Sequence, residues 1–144
     1  IPTVPSGNRP VTSLVFISSV GGGIACFPKF TLSDGMSKCA VAYLAKQIAA
    51  ENTHTPIDVF CVSPGAIETP MFYSSTLKGM SPEERKAFDE AQSKKRLIQP
   101  EEIANLLTYL LRDESTILHG GNIDATMGLG TRPGIQTEAG LEHN

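Results

Sequence analysis

Short apolar runs alternate along the chain with longer stretches of helical periodicity. Ser13-Leu14-Val15-Phe16-Ile17-Ser18-Ser19 is nearly continuous in apolar, β-branched and aromatic residues and is closed by Gly21-Gly22-Gly23. Such a run reads as a strand buried on both faces, the habit of a parallel sheet. Ile57-Asp58-Val59-Phe60-Cys61-Val62 is a second run, broken at Ser63-Pro64-Gly65. Between them, Met36 to Ala50 lacks Gly and Pro. Its apolar positions Ala40, Val41, Leu44, Ala45 and Ile48 exceed one stripe, which predicts a helix buried on two sides. Strand, helix and strand at this spacing make a βαβ unit.

The alternation continues in the second half. Ser81-Pro82-Glu83-Glu84 has the form of a capping box with Pro at the first helical position. The helix it opens runs toward Lys94 and is strongly polar, so it is expected at the surface. Pro100-Glu101-Glu102 opens another helix. Ile103, Leu106, Leu107, Leu110 and Leu111 form its apolar stripe, which is read as core. After Gly120-Gly121, the segment Asn122-Ile123-Asp124-Ala125-Thr126 predicts a third strand. The expected architecture is α/β: a Rossmann-like parallel sheet of about three strands with flanking helices, part of a doubly wound fold. Residues 1–144 are taken as one domain, with 129–144 a loose Gly-rich and polar tail. A parallel sheet this narrow leaves an edge that normally continues into further strands.

Composition narrows the classes of function. A chain of 144 residues with 40% hydrophobic residues can bury a core without metal or disulfide staples. Twelve Lys and Arg against fifteen Asp and Glu leave a net charge of −3, so no basic footprint for nucleic acid is present. No apolar run approaches the roughly 20 residues that span a bilayer, so no membrane partner is expected. Cys26, Cys39 and Cys61 match no zinc or redox spacing and are read as small buried hydrophobes in a reducing, cytoplasmic compartment. His54, His119 and His143 have no ligand neighbour at metal-binding spacing, so no metal site is expected. The chain opens at Ile1, and no charged segment followed by a cleavage site precedes the first strand. A processed product, or one that begins partway through a larger protein, is the expectation.

Three segments carry candidate chemistry: Ser18-Ser19 at a strand end, Asp34-Gly35-Met36-Ser37-Lys38 at a helix entrance, and Pro64-Gly65-Ala66-Ile67-Glu68-Thr69-Pro70 after the next strand. In an open α/β sheet the carboxyl edge of the strands is where ligands bind. The order Ile17-Ser18-Ser19-Val20-Gly21, Gly35-Met36-Ser37-Lys38-Cys39-Ala40-Val41 and Val62-Ser63-Pro64-Gly65 with Thr69 resembles the short-chain dehydrogenase/reductase family, in its carboxyl-terminal part. Gln99-Pro100-Glu101-Glu102-Ile103-Ala104 and the Gly-Gly-strand ending at Gly128 resemble that family's last helix and strand.

The resemblance implies hydride transfer between NAD or NADP and a small carbonyl or alcohol substrate. It implies that Ser19 orients the substrate oxygen and that Lys38 binds the nicotinamide ribose. Pro64, Gly65, Ile67 and Thr69 match the positions that hold the carboxamide and phosphates, and residues 71–96 match a variable substrate lid. It also implies a homo-oligomer, built on the helix that carries the lysine.

Two departures qualify the implied activity. Asp34 stands in the position of the family's catalytic tyrosine, and the glycine-rich cofactor turn with its phosphate-binding helix is absent from the sequence. A proton donor must hold its proton at working pH. A free Asp, with a pKa near 3.9, is protonated only about one part in a thousand at pH 7, a handicap of roughly 4 kcal/mol. The side chain is also shorter than Tyr by a ring. Asp34 itself suits a helix N-terminal cap. The alternative function is therefore a family member without catalysis, acting as a binding or regulatory subunit.

Overall fold

The computed structural model describes residues 12–27 and 31–131. Three parallel strands, β1 (Thr12–Ile17), β2 (Ile57–Pro64) and β3 (Asn122–Ala125), form one sheet in the order β1-β2-β3. Thr12 pairs with Ile57 and Ile17 with Val62 across the first ladder. Cys61 pairs with Asn122 and Pro64 with Ala125 across the second. The expected α/β sheet with flanking helices is what forms.

Burial separates the central strand from its neighbours. From Asp58 to Pro64 every residue of β2 is buried, and Phe60 and Val62 join Leu110 in the core. In β1, by contrast, Leu14 is 38% and Ile17 43% exposed. The continuous apolar run does not mean burial on both faces there, because β1 pairs on one side only among the described residues.

Helix α1 (Leu32–Glu51) joins β1 to β2 and packs on both. It starts a turn earlier than its apolar periodicity predicts. The cap is Thr31, whose Oγ1 accepts from the Asp34 backbone N–H at 3.4 Å. Asp34 is therefore not the cap; it lies inside the first turn, where a carboxylate still complements the helix dipole. Nor is α1 buried on two sides. Ala45 and Ala49 are buried, Val41 and Ile48 half-buried, and Met36, Ala40, Tyr43 and Leu44 exposed on the outer face. One small-residue stripe packs on the sheet, and the remaining apolar surface faces outward.

Between β2 and the last helix lie α2 (Pro70–Phe72), a π turn (Tyr73–Leu77), α3 (Pro82–Glu90) and a 3-10 turn (Ser93–Lys95). The capping box of α3 forms as the sequence predicts. Ser81 N–H donates to Glu84 Oε2 at 2.7 Å, and Glu84 N–H donates to Ser81 Oγ at 3.2 Å. No residue of α3 is buried, in keeping with its polar sequence. The helix ends at Glu90, short of Lys94: Gln92 turns extended at φ −78° and ψ 156°, and Lys94 and Lys95 then take left-handed φ values of 58° and 55°. Helix α4 (Pro100–Leu110) turns Leu110 fully into the core, with Leu106 and Leu107 half-buried against it. Leu111 is not core. It sits at the carboxyl cap, past the last helical turn, and is 63% exposed. After β3 the chain turns back, with Leu129 N–H donating to Thr126 O at 3.2 Å. Residues 132–144 of the expected tail lie outside the described residues.

Candidate functional site

The three chemistry-bearing segments meet at the carboxyl edge of the sheet. Past β1 the backbone keeps its register with β2: Ser18 N–H donates to Val62 O and Val20 N–H to Pro64 O, both at 2.8 Å. The Ser18 hydroxyl crosses to α1 and donates to the Lys38 carbonyl oxygen at 2.7 Å. Gly22 completes the junction, since a Cβ there would lie 3.0 Å from Lys38 C and O and would collide with Ser18 Oγ. Three hydrogen bonds and one close approach thus fix the Ser18–Gly23 loop against both the lysine turn and the Pro-Gly turn.

Ser19 follows, half-buried, and its Oγ accepts from Gly21 N–H at 3.3 Å, which leaves the hydroxyl proton available. Lys38 is half-buried on α1. Asp34 lies one turn before it, yet no ion pair forms between the two, and the Lys38 ammonium has no partner among the described residues. The Asp34 carboxyl is exposed, and its backbone carbonyl accepts from Ser37 Oγ at 2.8 Å.

The Pro64–Thr69 loop is held by Gly65 N–H donating to Ala125 O at 3.2 Å. Gly65 also allows a close approach: a Cβ would stand 3.3 Å from Thr126 Cα. Ile67 forms an isolated parallel bridge with Ile98. The bonds that make it are Ile98 N–H to Ala66 O at 2.9 Å and Glu68 N–H to Ile98 O at 2.8 Å. Ile67's own N–H and C=O therefore point away from Ile98 and have no partner among the described residues. A donor and an acceptor side by side on one residue match a primary amide. Thr69 Oγ1 is engaged as the cap of α2, accepting from Phe72 N–H at 3.2 Å. The Lys38 turn, the open Ile67 amide pair and the Ser19 hydroxyl thus come together at the carboxyl edge of the sheet.

Several features escaped the sequence. Ser18, rather than Ser19, is the residue that ties β1 to α1, and only the nearness of Gly22 hinted at such crowding. Glu68 gathers Arg85 and Gln99 at 2.9 Å each, which holds its carboxyl below the usual range. On the opposite edge, buried Asp58 accepts from Thr116 Oγ1 at 2.7 Å beside His119. The cysteines divide: Cys61 is buried, and burial pushes its thiol pKa up, whereas Cys26 and Cys39 are exposed on a loop and on the outward face of α1. Among the described residues no group of three or more His, Cys, Asp and Glu is placed to hold a metal ion. Among the same residues no helix is long and apolar enough to cross a membrane.

Known proteins share this arrangement. The family model for enoyl-(acyl carrier protein) reductase matches residues 3–130. The chain is 33% identical over 111 residues to 2-keto-3-deoxy-L-fuconate dehydrogenase of Xanthomonas campestris, covering 75% of this chain and 36% of that protein. Its fold is similar to a 3-oxoacyl-[acyl-carrier protein] reductase with bound NAD from Brucella melitensis, with a TM-score of 0.67 and 28% identity over 83% of this chain and 41% of that one. It is similar also to a variant of actinorhodin polyketide ketoreductase with NADPH, with a TM-score of 0.73 and 27% identity over 83% of this chain and 48% of that one. The chain thus spans less than half the length of these relatives. With the serine, lysine and Pro-Gly segments joined at one sheet edge, the chain belongs to the short-chain dehydrogenase/reductase family.

Proposed function

We propose that this chain supplies the nicotinamide and substrate side of an oxidoreductase acting on a small carbonyl or alcohol, with Asp34 impairing the proton-transfer step. The observation that carries the reading is Lys38, whose ammonium has no partner among the described residues, on the helix turn bound to the loop of the Ser19 hydroxyl and at the same sheet edge as the open Ile67 amide. When bound, NAD or NADP supplies or accepts the hydride. Ser19 donates its hydroxyl proton to the substrate oxygen and orients it. Lys38 holds the ribose hydroxyls, and Ile67 meets the carboxamide through its backbone. Pro64 and Gly65 set the turn that presents Ile67, and Thr69 holds phosphate at the end of the loop. Residues 71–96 close over the substrate. Asp34 occupies the proton-donor position with an exposed carboxyl, shorter by a ring than the phenol it replaces.

The outward apolar face of α1, with Tyr43 70% exposed and Leu44 beside it, supports a homo-oligomer built on that helix. Free Cys26 and Cys39, both exposed, support a reducing, cytoplasmic setting. A second reading, a non-catalytic binding subunit, draws on Asp34 alone; it keeps the cofactor site and loses turnover.

Binding tests the first reading. Titrating native protein that contains this chain with NADH and NADPH, followed by reduced-nicotinamide fluorescence, is expected to give saturable binding to one of them. Lys38→Ala is expected to weaken it about tenfold, the worth of a hydrogen bond to a charged group. No saturable binding of either nucleotide, or binding indifferent to Lys38→Ala, overturns the reading.

A further inference from the structure

Helix α3 fully buries none of its residues; its one ring contact is half-buried Phe88 against Phe72 of α2, with ring centroids 6.2 Å apart, and its tie to the Ile67–Thr69 loop is polar. The fixing point is Glu68, which lies between Ile67 and Thr69. Its Oε1 accepts from Arg85 Nη2 of α3 at 2.9 Å, and its Oε2 accepts from Gln99 Nε2 at the entrance of α4, also at 2.9 Å. Arg85 is itself held in place, its Nε donating to both Asp89 oxygens at 2.9 Å. The Gln99 backbone N–H donates to Glu102 Oε2 at 2.8 Å, and Arg96 pairs with both Glu102 oxygens at 2.7 and 2.8 Å. One carboxylate thus joins the cofactor loop, the middle of the 71–96 segment and the start of α4, while Arg96 pins the end of that segment to the same point.

We propose that Glu68 is a positioning residue that latches the substrate lid to the cofactor loop. This rests on the proposed function, in which residues 71–96 are the lid and Ile67 and Thr69 hold cofactor. A single exposed ion pair contributes little. Here each oxygen has its own donor, and the two charge-assisted bonds lie on different elements, so geometry as well as attraction is fixed. Removing the charge at Glu68 leaves Arg85 with Asp89 alone and frees α3 from the loop. The central strand has no part in this network and stays as it is.

Millisecond hydrogen exchange on the ligand-free protein tests the latch. Glu68→Gln is expected to speed exchange across 82–90 about fivefold and Arg85→Met, which also removes the Asp89 pair within α3, at least as much; the double variant is expected to be no faster than Arg85→Met, because the Glu68–Arg85 bond is common to both changes. Arg85→Lys, which keeps the charge, is expected to restore most of the protection, and exchange in 57–64 is expected to stay unchanged. Unchanged exchange in 82–90, additive effects in the double variant, or equal acceleration in 57–64 overturns the latch. A separate arm adds NADH and reads protection of 65–69. Its failure counts against the cofactor reading, while the ligand-free arms still decide the latch.

Discussion

At the scale of single residues the site depends on close approach. Gly22 lies where the loop after β1 meets both the Ser18 hydroxyl and the Lys38 carbonyl, and no side chain fits there. Gly22→Ala forces either the Ser18–Lys38 hydrogen bond or the loop to move. We expect a loss of about 1–3 kcal/mol, the usual range for overpacking. It is measured as a lower denaturant midpoint at unchanged slope; a midpoint equal to that of the parent contradicts the packing. The same crowding explains why Lys38 is placed by its backbone while its ammonium has no partner among the described residues. Asp34 contributes nothing to that placement through its side chain, which is exposed. Asp34 can therefore change without disturbing Ser19 and Lys38.

At the scale of elements, α4 shows how a helix start is fixed by charge. Arg96 beside Glu102 holds that carboxyl down to about 2, with help from the Gln99 backbone N–H. A carboxylate whose pKa is lower folded than unfolded contributes stability that is complete above its unfolded value of about 4.5. That contribution disappears as pH falls toward about 2. We therefore expect the difference in Tm between the parent and Glu102→Gln to be largest at neutral pH and to shrink through this acid range. A constant difference contradicts the pairing.

The strands and helices were legible because their apolar spacing is dictated by contact with the sheet, as at Phe60, Val62 and Leu110. The first turn of α1 was not, since Ser33, Asp34 and Gly35 carry no apolar signal and the cap Thr31 sits outside the periodic stretch. Two-sided burial of α1 was misjudged because an apolar position shows that a partner surface suits it, not that this chain provides one. The Glu68 network was invisible, its partners lying 17 and 31 positions away in sequence. The meeting of Ser19, Lys38 and the Pro64–Thr69 loop was readable in order and spacing, whereas the link from the Ser18 hydroxyl ends on the Lys38 backbone carbonyl, an acceptor that any residue at that position offers.

At the scale of the molecule, β2 is buried throughout while β1 exposes Leu14 and Ile17 along an edge paired on one side among the described residues. The chain covers less than half of its cofactor-bearing relatives, and the side it covers holds the serine, lysine and Pro-Gly positions. We propose that the nicotinamide and substrate side of the site is kept in this chain and that Asp34 limits its chemistry. The direct measurement is carbonyl reduction driven by NADH or NADPH in native protein that contains this chain, comparing parent, Asp34→Tyr and Asp34→Tyr with Lys38→Ala. The account predicts a rate gain of about a hundredfold for Asp34→Tyr, the scale of a positioned general acid, and its loss when Lys38 is removed. No gain, or a gain that survives Lys38→Ala, would contradict it.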